Sequence, residues 1–280
     1  GGALLSVSEV SHVCSGPKRV CIVAKLSYTD IATKVRTNTP VVLAYNWPVG
    51  LQVALPLPPN AIPAALCVTD GMIFVATEHK AILVTKLQSS NTTSPRFGPC
   101  VSSDELIGCA CMCIVKSFKC LVAGCSGQVF LFSYGNFLKR KRGGLGLVCR
   151  FDVRGTCLCL EMHPTLPLLC AVSTDSIIIY NLQSKSILAK YDLHSIVHRV
   201  SIAWLDNFSK PALAVSLGDS HIEYFQLEPS FDNSAAHKGV LHMFHSDPHP
   251  IDDGYRSINV LPGMIFQVAD KFYLNTLCKM

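Results

Sequence analysis

The sequence predicts an all-β chain in which one small antiparallel unit recurs along the length. Three observations lead there. Four segments, GMIFVATEHKAILVTKL (71–87), CLVAGCSGQVFLFSYG (120–135), LLCAVSTDSIIIYNL (168–182) and ALAVSLGDSHIEYFQL (212–227), share one layout: an apolar run, a short turn, and a second apolar or alternating run. An alanine precedes each turn, at 76, 123, 171 and 214, so the spacings are 47, 48 and 43 residues. The runs are rich in Val, Ile, Phe and Tyr and the turns in Gly, Ser and Asp, which is strand-and-turn composition, while no long apolar stripe of helical period with end caps is present.

The elements follow in order. Weaker copies of the unit flank the four, at RVCIVAKLSYTDIATKV (19–35) and GMIFQVADKFYLNTL (263–277), the latter repeating the GMIF of 71–74. Ser126-Gly127 and Gly218-Asp219 supply turn residues that tolerate a left-handed backbone. Further strands are expected between the anchors, at GTCLCLEMHP (155–164), where His163-Pro164 ends the run, and at VHRVSIAWL (197–205). The aromatic and proline-rich YNWPVGLQVALPLPPNAIP (45–63) reads as a rigid connection between units. Residues 229–257, with their cluster of His, Pro and Asp, read as a loop insertion. A repeat of roughly 40–48 residues holding about four strands is the blade of a β-propeller, a sheet that cannot bury both faces alone and must stack on its neighbours. The expectation is therefore a single β-propeller domain over 1–280 with antiparallel four-stranded blades. Length at about 40 residues per blade gives seven blades, and six is the alternative drawn from the visible anchors. An unrelated β-sandwich with accidental spacing is the rival fold.

The stretch HSIVHRVSIAWLDNFSKPALAVSLGDSHIEYFQLE (194–228) resembles a WD-repeat. In that family a His precedes the innermost strand, a Ser lies on the next, an Asp holds the tight turn, and Trp-Asp ends the third strand. Here His194 matches the His, Asp219 the turn Asp and Phe225 the Trp, while Val215 stands where the Ser belongs. The preceding unit places Asp175 in the turn and Tyr180-Asn181 at the Trp-Asp position, and the unit before it has Ser126 and Phe132-Ser133. The tetrad is incomplete in every unit. The resemblance covers 120–228, and it implies a degenerate WD-repeat-like β-propeller and a role in binding other proteins.

Composition narrows the function classes. Apolar residues make up 49% of the chain and charged residues only 15%, against roughly 25% charged in ordinary domains. So apolar a chain has ample core, and so sparse a charged surface is more stable partly covered, which points to one or more protein partners held for long periods. A net charge of +5 is compatible with nucleic acid without requiring it. No apolar run approaches the roughly 18 residues that span a bilayer. Among the 14 cysteines, Cys109, Cys111 and Cys113 alternate, as do Cys157 and Cys159, the pattern of strand side chains facing a core. Buried thiols rather than disulfides are expected, and with them a cytoplasmic or nuclear location.

Three stretches carry candidate chemistry. Lys139, Arg140, Lys141 and Arg142 are consecutive in NFLKRKRGGLG and suit an acidic peptide, phosphates or a solvated loop. His237, His242, His245 and His249 fall within 13 positions beside Asp247, Asp252 and Asp253, so that His242 and His245 would meet on one helical turn. Arg199 lies beside the strand VSIAWL. Partner contact is therefore assigned to Lys139, Arg140, Lys141, Arg142, Arg199, His242 and His245. No catalytic residue, resident metal or cofactor is assigned, because nucleophile-elbow and phosphate-loop motifs are absent and the cysteine spacing lacks the C-x2-C pair of structural zinc sites. The expected role is a non-catalytic interaction scaffold in a larger intracellular complex. The alternative is an RNA- or DNA-binding propeller subunit using 139–142.

Overall fold

Runs of Val, Ile and Leu bounded by turn residues form hairpins, and hairpins with two apolar faces stack. A computed structural model describes residues 3–16, 19–30, 36–46, 50–69, 71–87, 96–135, 145–198, 200–205, 208–217, 221–229, 239–248, 264–268 and 271–275. These residues are mostly strand, with one short 3-10 turn at Asp104–Leu106. The chain falls into two compact units, Gly1–Ala123 with Leu131–Val148, and Gly124–Phe130 with Cys149–Met280.

In the first unit, β1 (Ala3–Gly16), β2 (Arg19–Asp30), β3 (Arg36–Asn46) and β4 (Gly50–Pro56) form one antiparallel sheet in chain order. A second sheet repeats the plan with β5 (Pro63–Val68), β6 (Met72–Thr77), β7 (Ala81–Lys86) and β8 (Gly98–Ser102). The two sheets share a buried cluster: Cys21, Val23, Val42, Ala44, Leu55 and Leu57 from one side, and Leu66, Val68, Ile73, Val75 and Leu83 from the other. The next strands are β9 (Cys111–Val115) and β10 (Cys120–Gly124), almost wholly in the first unit, β11 (Ser126–Ser133) and β12 (Gly146–Met162), each divided between the units, and β13 (Leu168–Ser173), β14 (Ser176–Asn181) and β15 (Ser186–Asp192) of the second; they are hydrogen-bonded in that order, seven strands in all. The 17 residues of β12 explain the number. Gln128 Nε2 on β11 donates to Asp152 Oδ1 in its first half, while Cys157–Met162 in its second half pairs with β13.

In the second unit a further four-stranded sheet contains β16 (Val200–Leu205), β17 (Ala212–Leu217), β18 (His221–Pro229) and β19 (Gly239–Pro248), and β20 (Met264–Val268) pairs with β21 (Lys271–Asn275). Leu168, Cys170, Val172, Ile177, Ile179 and Ala189 pack against Val200, Ile202, Leu213, Val215, Phe225, Leu227 and Leu241, so that the β12–β15 strands and the β16–β19 sheet close over one core. The opposite face of the β16–β19 sheet buries Leu205, Ala212, Ala214, Ile222 and Tyr224. Both faces of one sheet are thus apolar, which is why its sequence reads as continuous hydrophobic runs.

The four anchor alanines occupy equivalent places. Ala76, Ala123, Ala171 and Ala214 lie on β6, β10, β13 and β17, the second strand of each hairpin set, and each is at most 1% exposed. Every residue of these strands is buried. A small side chain suits a strand packed on both faces.

Several sequence expectations change. Of the run at 19–35, Arg19–Asp30 is one long strand, β2, paired with β1 on one side and β3 on the other, and 31–35 lie outside the described residues. Residues 45–63 are not mere connection: Gly50–Pro56 alternates well enough to pair with β3, and Pro56 sits at the strand end, where its missing N–H costs no ladder bond. Within the expected insertion 229–257, Gly239–Pro248 is a strand paired with β18 from His221 to Pro229, with a bulge between Tyr224 and Phe225. The remaining residues of that span, 230–238 and 249–257, lie outside the described residues. The turn at 173–176 is held differently from the resemblance: Ser173 Oγ accepts the Ser176 N–H at 3.1 Å, and Asp175 offers its carbonyl to Leu193 N at 2.8 Å. Thr69 Oγ1 does the same at the β5–β6 turn, accepting from Met72 N at 2.9 Å. Gly127 adopts a left-handed φ of 80°, as its place in the turn requires. Lys80, Lys119 and Lys185, with φ of 58°, 50° and 53°, close three other hairpin turns.

Candidate interaction surface

Of the residues assigned to partner contact, Lys139, Arg140, Lys141, Arg142 and Arg199 lie outside the described residues, as do His237 and His249. His242 and His245 lie on β19, opposite Gln226 and Tyr224 of β18. They belong to a strand, so the expected meeting on one helical turn does not occur. His242 is exposed, and its Nε2 stands 3.8 Å from Glu228 Oε2. Lys210 Nζ donates to Glu228 Oε1 at 2.6 Å. That hydrogen bond and the ammonium charge, with a smaller contribution from His242, hold the Glu228 carboxyl below the usual carboxylate range. The group is a partly exposed ion-pair cluster, and such pairs contribute little stability. A second exposed cluster joins Asp192 to Lys190 Nζ at 2.8 Å and Arg154 at 3.7 Å. The Lys190 hydrogen bond lowers the Asp192 pKa.

The more distinctive surface was not singled out as a site in the sequence. Met162 ends β12, and the chain turns through His163 and Pro164 to Pro167 before β13. His163 Nδ1 accepts the N–H groups of Thr165 at 3.2 Å and Leu166 at 3.1 Å, which fixes the turn. The imidazole meets the indole of Trp204 edge-on, with ring centroids 4.7 Å apart at 61°. Trp204 lies on β16 opposite Leu213 and is partly buried against the core between the sheets. Its Nε1 donates to the Glu161 carbonyl at 3.4 Å. Leu166, whose N–H is held by His163, is 41% exposed. A partly buried aromatic oriented by a fixed imidazole, with an exposed leucine on the same turn as that imidazole, has the composition of a binding hot spot. Sequence could have marked it, since Trp204 is one of only two tryptophans.

Glu161 sits at the border of this patch, opposite Cys170 in the strand register. Crowding by surrounding protein raises its carboxyl pKa to about 7. The sign follows from linkage: the folded chain holds the proton more tightly than the unfolded one, so this group favours folding below the unfolded carboxylate pKa and its contribution is lost as pH rises to about 7. Glu161→Gln is therefore expected to be more stable than the parent above pH 7, by about 1 kcal/mol once solvent screening of a partly exposed carboxyl is allowed for. Denaturant titrations of both proteins across pH check this, and the difference should vanish near the unfolded carboxylate pKa of about 4.

None of the thirteen described cysteines is joined in a disulfide. Cys109 is buried, whereas Cys111 and Cys113 on β9 are half-buried, so the alternating thiols do not all reach the core. Burial pushes the thiols of Cys100 and Cys159 up to about 12. Among the described residues no helix is long and apolar enough to cross a membrane.

No family model matches the chain. No curated protein matches it in sequence. Solved structures do. Hsv2 of Kluyveromyces lactis aligns with a TM-score of 0.55 and 12% identity, over 85% of this chain and 86% of that one. A second Kluyveromyces lactis structure, Hsv2p, gives 0.54 and 11% over 86% and 87%. Hsv2 of Kluyveromyces marxianus gives 0.52 and 14% over 85% of each. Those proteins are WD-repeat β-propellers. At such identity the likeness concerns the fold, and it agrees with the stacked antiparallel four-stranded sheets: this chain has a fold similar to that of WD-repeat β-propellers.

Proposed function

We propose that the chain is a non-catalytic interaction scaffold, a β-propeller of six or seven blades that holds protein partners within a larger intracellular assembly. Six blades agree with counting β12 as the last strand of one blade and the first of the next, seven with the length. The observation that carries the scaffold reading is the pairing of Trp204 with His163, whose turn also holds the exposed Leu166, in a chain with only 15% charged residues. A rigid stack of sheets presents such a surface at little ordering cost, because the core fixes the aromatic before a partner arrives. The cytoplasmic or nuclear location we propose is supported by the strand-like alternation of cysteines in the sequence, which suits buried thiols.

The rival reading, an RNA- or DNA-binding subunit, rests on the four consecutive cations Lys139–Arg142. One experiment separates the two. The tagged chain is recovered from its native source at graded salt as parent, Trp204→Ala, and a variant with alanine at 139–142. The scaffold reading expects Trp204→Ala to lose the partner by about tenfold or more, since hot-spot truncations cost about 2 kcal/mol, and expects the 139–142 variant to retain it. Loss of nucleic acid in the 139–142 variant, with a shallower salt slope and no effect of Trp204→Ala, establishes the rival instead.

A further inference from the structure

Cysteines concentrate where β1 and β5 meet in the first unit. Cys14 of β1 lies directly opposite Cys21 of β2 in the strand register. Cys14 also packs against the core cluster containing Cys21, Leu66 and Val68. Its thiol is hydrogen-bonded to that of Cys67 on β5, and the main chain of Val68 hydrogen-bonds both. Cys113 on β9 lies close enough to Cys67 to act on it electrostatically. The two bonded thiols differ in access: Cys14 is half-buried, Cys67 is 5% exposed. Cys14 is thus the more accessible of the two.

We propose that Cys14 and Cys67 are a thiol-oxidation site at which a hydroperoxide converts Cys14 to a sulfenic acid and Cys67 resolves it to a disulfide joining β1 to β5. The electronic arrangement supports the order of events. The Cys67 S–H and the Val68 N–H donate toward Cys14 and lower its pKa, favouring the thiolate. Burial and the same bond raise Cys67, and burial pushes Cys21 up to about 12. A partly buried thiol of lowered pKa beside a more deeply buried one is the arrangement of oxidation-sensitive cysteines. In the first step the Cys14 sulfur attacks one peroxide oxygen, the O–O bond breaks, and the sulfur is oxidised by two electrons while the distal oxygen leaves as water or an alcohol. In the second step the Cys67 sulfur attacks the Cys14 sulfur. The S–S bond forms, the S–O bond breaks, and water departs with the Cys67 proton. Overall, two thiols and one hydrogen peroxide give one disulfide and two waters.

Peptide mapping of the full chain tests this. The native protein is treated with one equivalent of hydrogen peroxide, its remaining thiols are blocked, and the digest is analysed by mass spectrometry with and without reductant. A reductant-sensitive Cys14–Cys67 cross-link is expected. In Cys67→Ser, oxidation should instead stop at a Cys14 sulfenic acid that dimedone captures. Alkylation of the untreated parent at pH 7, which needs no variant to fold, should label Cys14 at least about tenfold faster than Cys21 or Cys67. A Cys14–Cys21 disulfide, an intermolecular disulfide, or labelling of Cys14 no faster than Cys21 overturns the proposal.

Discussion

Phe225→Ala will destabilise the second unit by about 3–5 kcal/mol, the range for truncating a fully buried aromatic. Phe225 is 0% exposed on β18. It belongs to the core that the β12–β15 strands share with the β16–β19 sheet, so truncation opens a cavity between two rigid layers rather than at the edge of one. Tyr191 on β15 meets the ring edge-on at 4.9 Å and 67°, and that contact is lost as well. Neither sheet can close the gap without dragging its ladder partners, Leu213 and Met243, which stand opposite Phe225 in the register. Phe225→Leu, which keeps most of the volume, should cost clearly less. Urea unfolding followed by tryptophan fluorescence measures both, since Trp204 packs against the same core. A loss below about 1 kcal/mol for the alanine variant would mean that the sheets are not packed on each other there.

The second large effect has the opposite chemistry. Ala171→Leu adds apolar volume and is nevertheless expected to cost about 3 kcal/mol, because overpacking a close-packed interior forces side chains off their rotamers. Ala171 is 1% exposed on β13. It stands between Leu160 of β12 and Ile178 of β14 in the ladder. Both of those neighbours are buried. The same change at exposed Ala110 should be neutral within about 0.5 kcal/mol. Equal effects at the two sites, read as shifts in urea midpoint at constant slope, would remove the special status of the anchor position.

Much of this was legible in the residues. Apolar runs recurring every 43–48 residues located the hairpins of β6–β7, β10–β11, β13–β14 and β17–β18, because a strand buried on both faces must be apolar throughout and a tight turn must be polar. The first sheet was harder. Its strands β2 and β3 pair with each other over eleven positions, and alternation inside a long strand can be mistaken for a short hairpin. Turn chemistry was only half visible: glycine marks φ above zero at Gly127, but Lys80, Lys119 and Lys185 take the same conformation with no sequence signal. Such strain, of order 1 kcal/mol each, is imposed by the ladders on either side.

Sequence by itself therefore determined the class of the chain, the position of its repeated hairpins and the small residue at the centre of each, since periodicity and side-chain volume are local properties. Only the tertiary structure decided that β12 serves two neighbours, that 239–248 is strand, that Trp204 and His163 meet 41 positions apart, and that Cys14 and Cys67 touch. These depend on which sheet lies against which, and that choice is made by the summed burial of whole faces rather than by any single stretch.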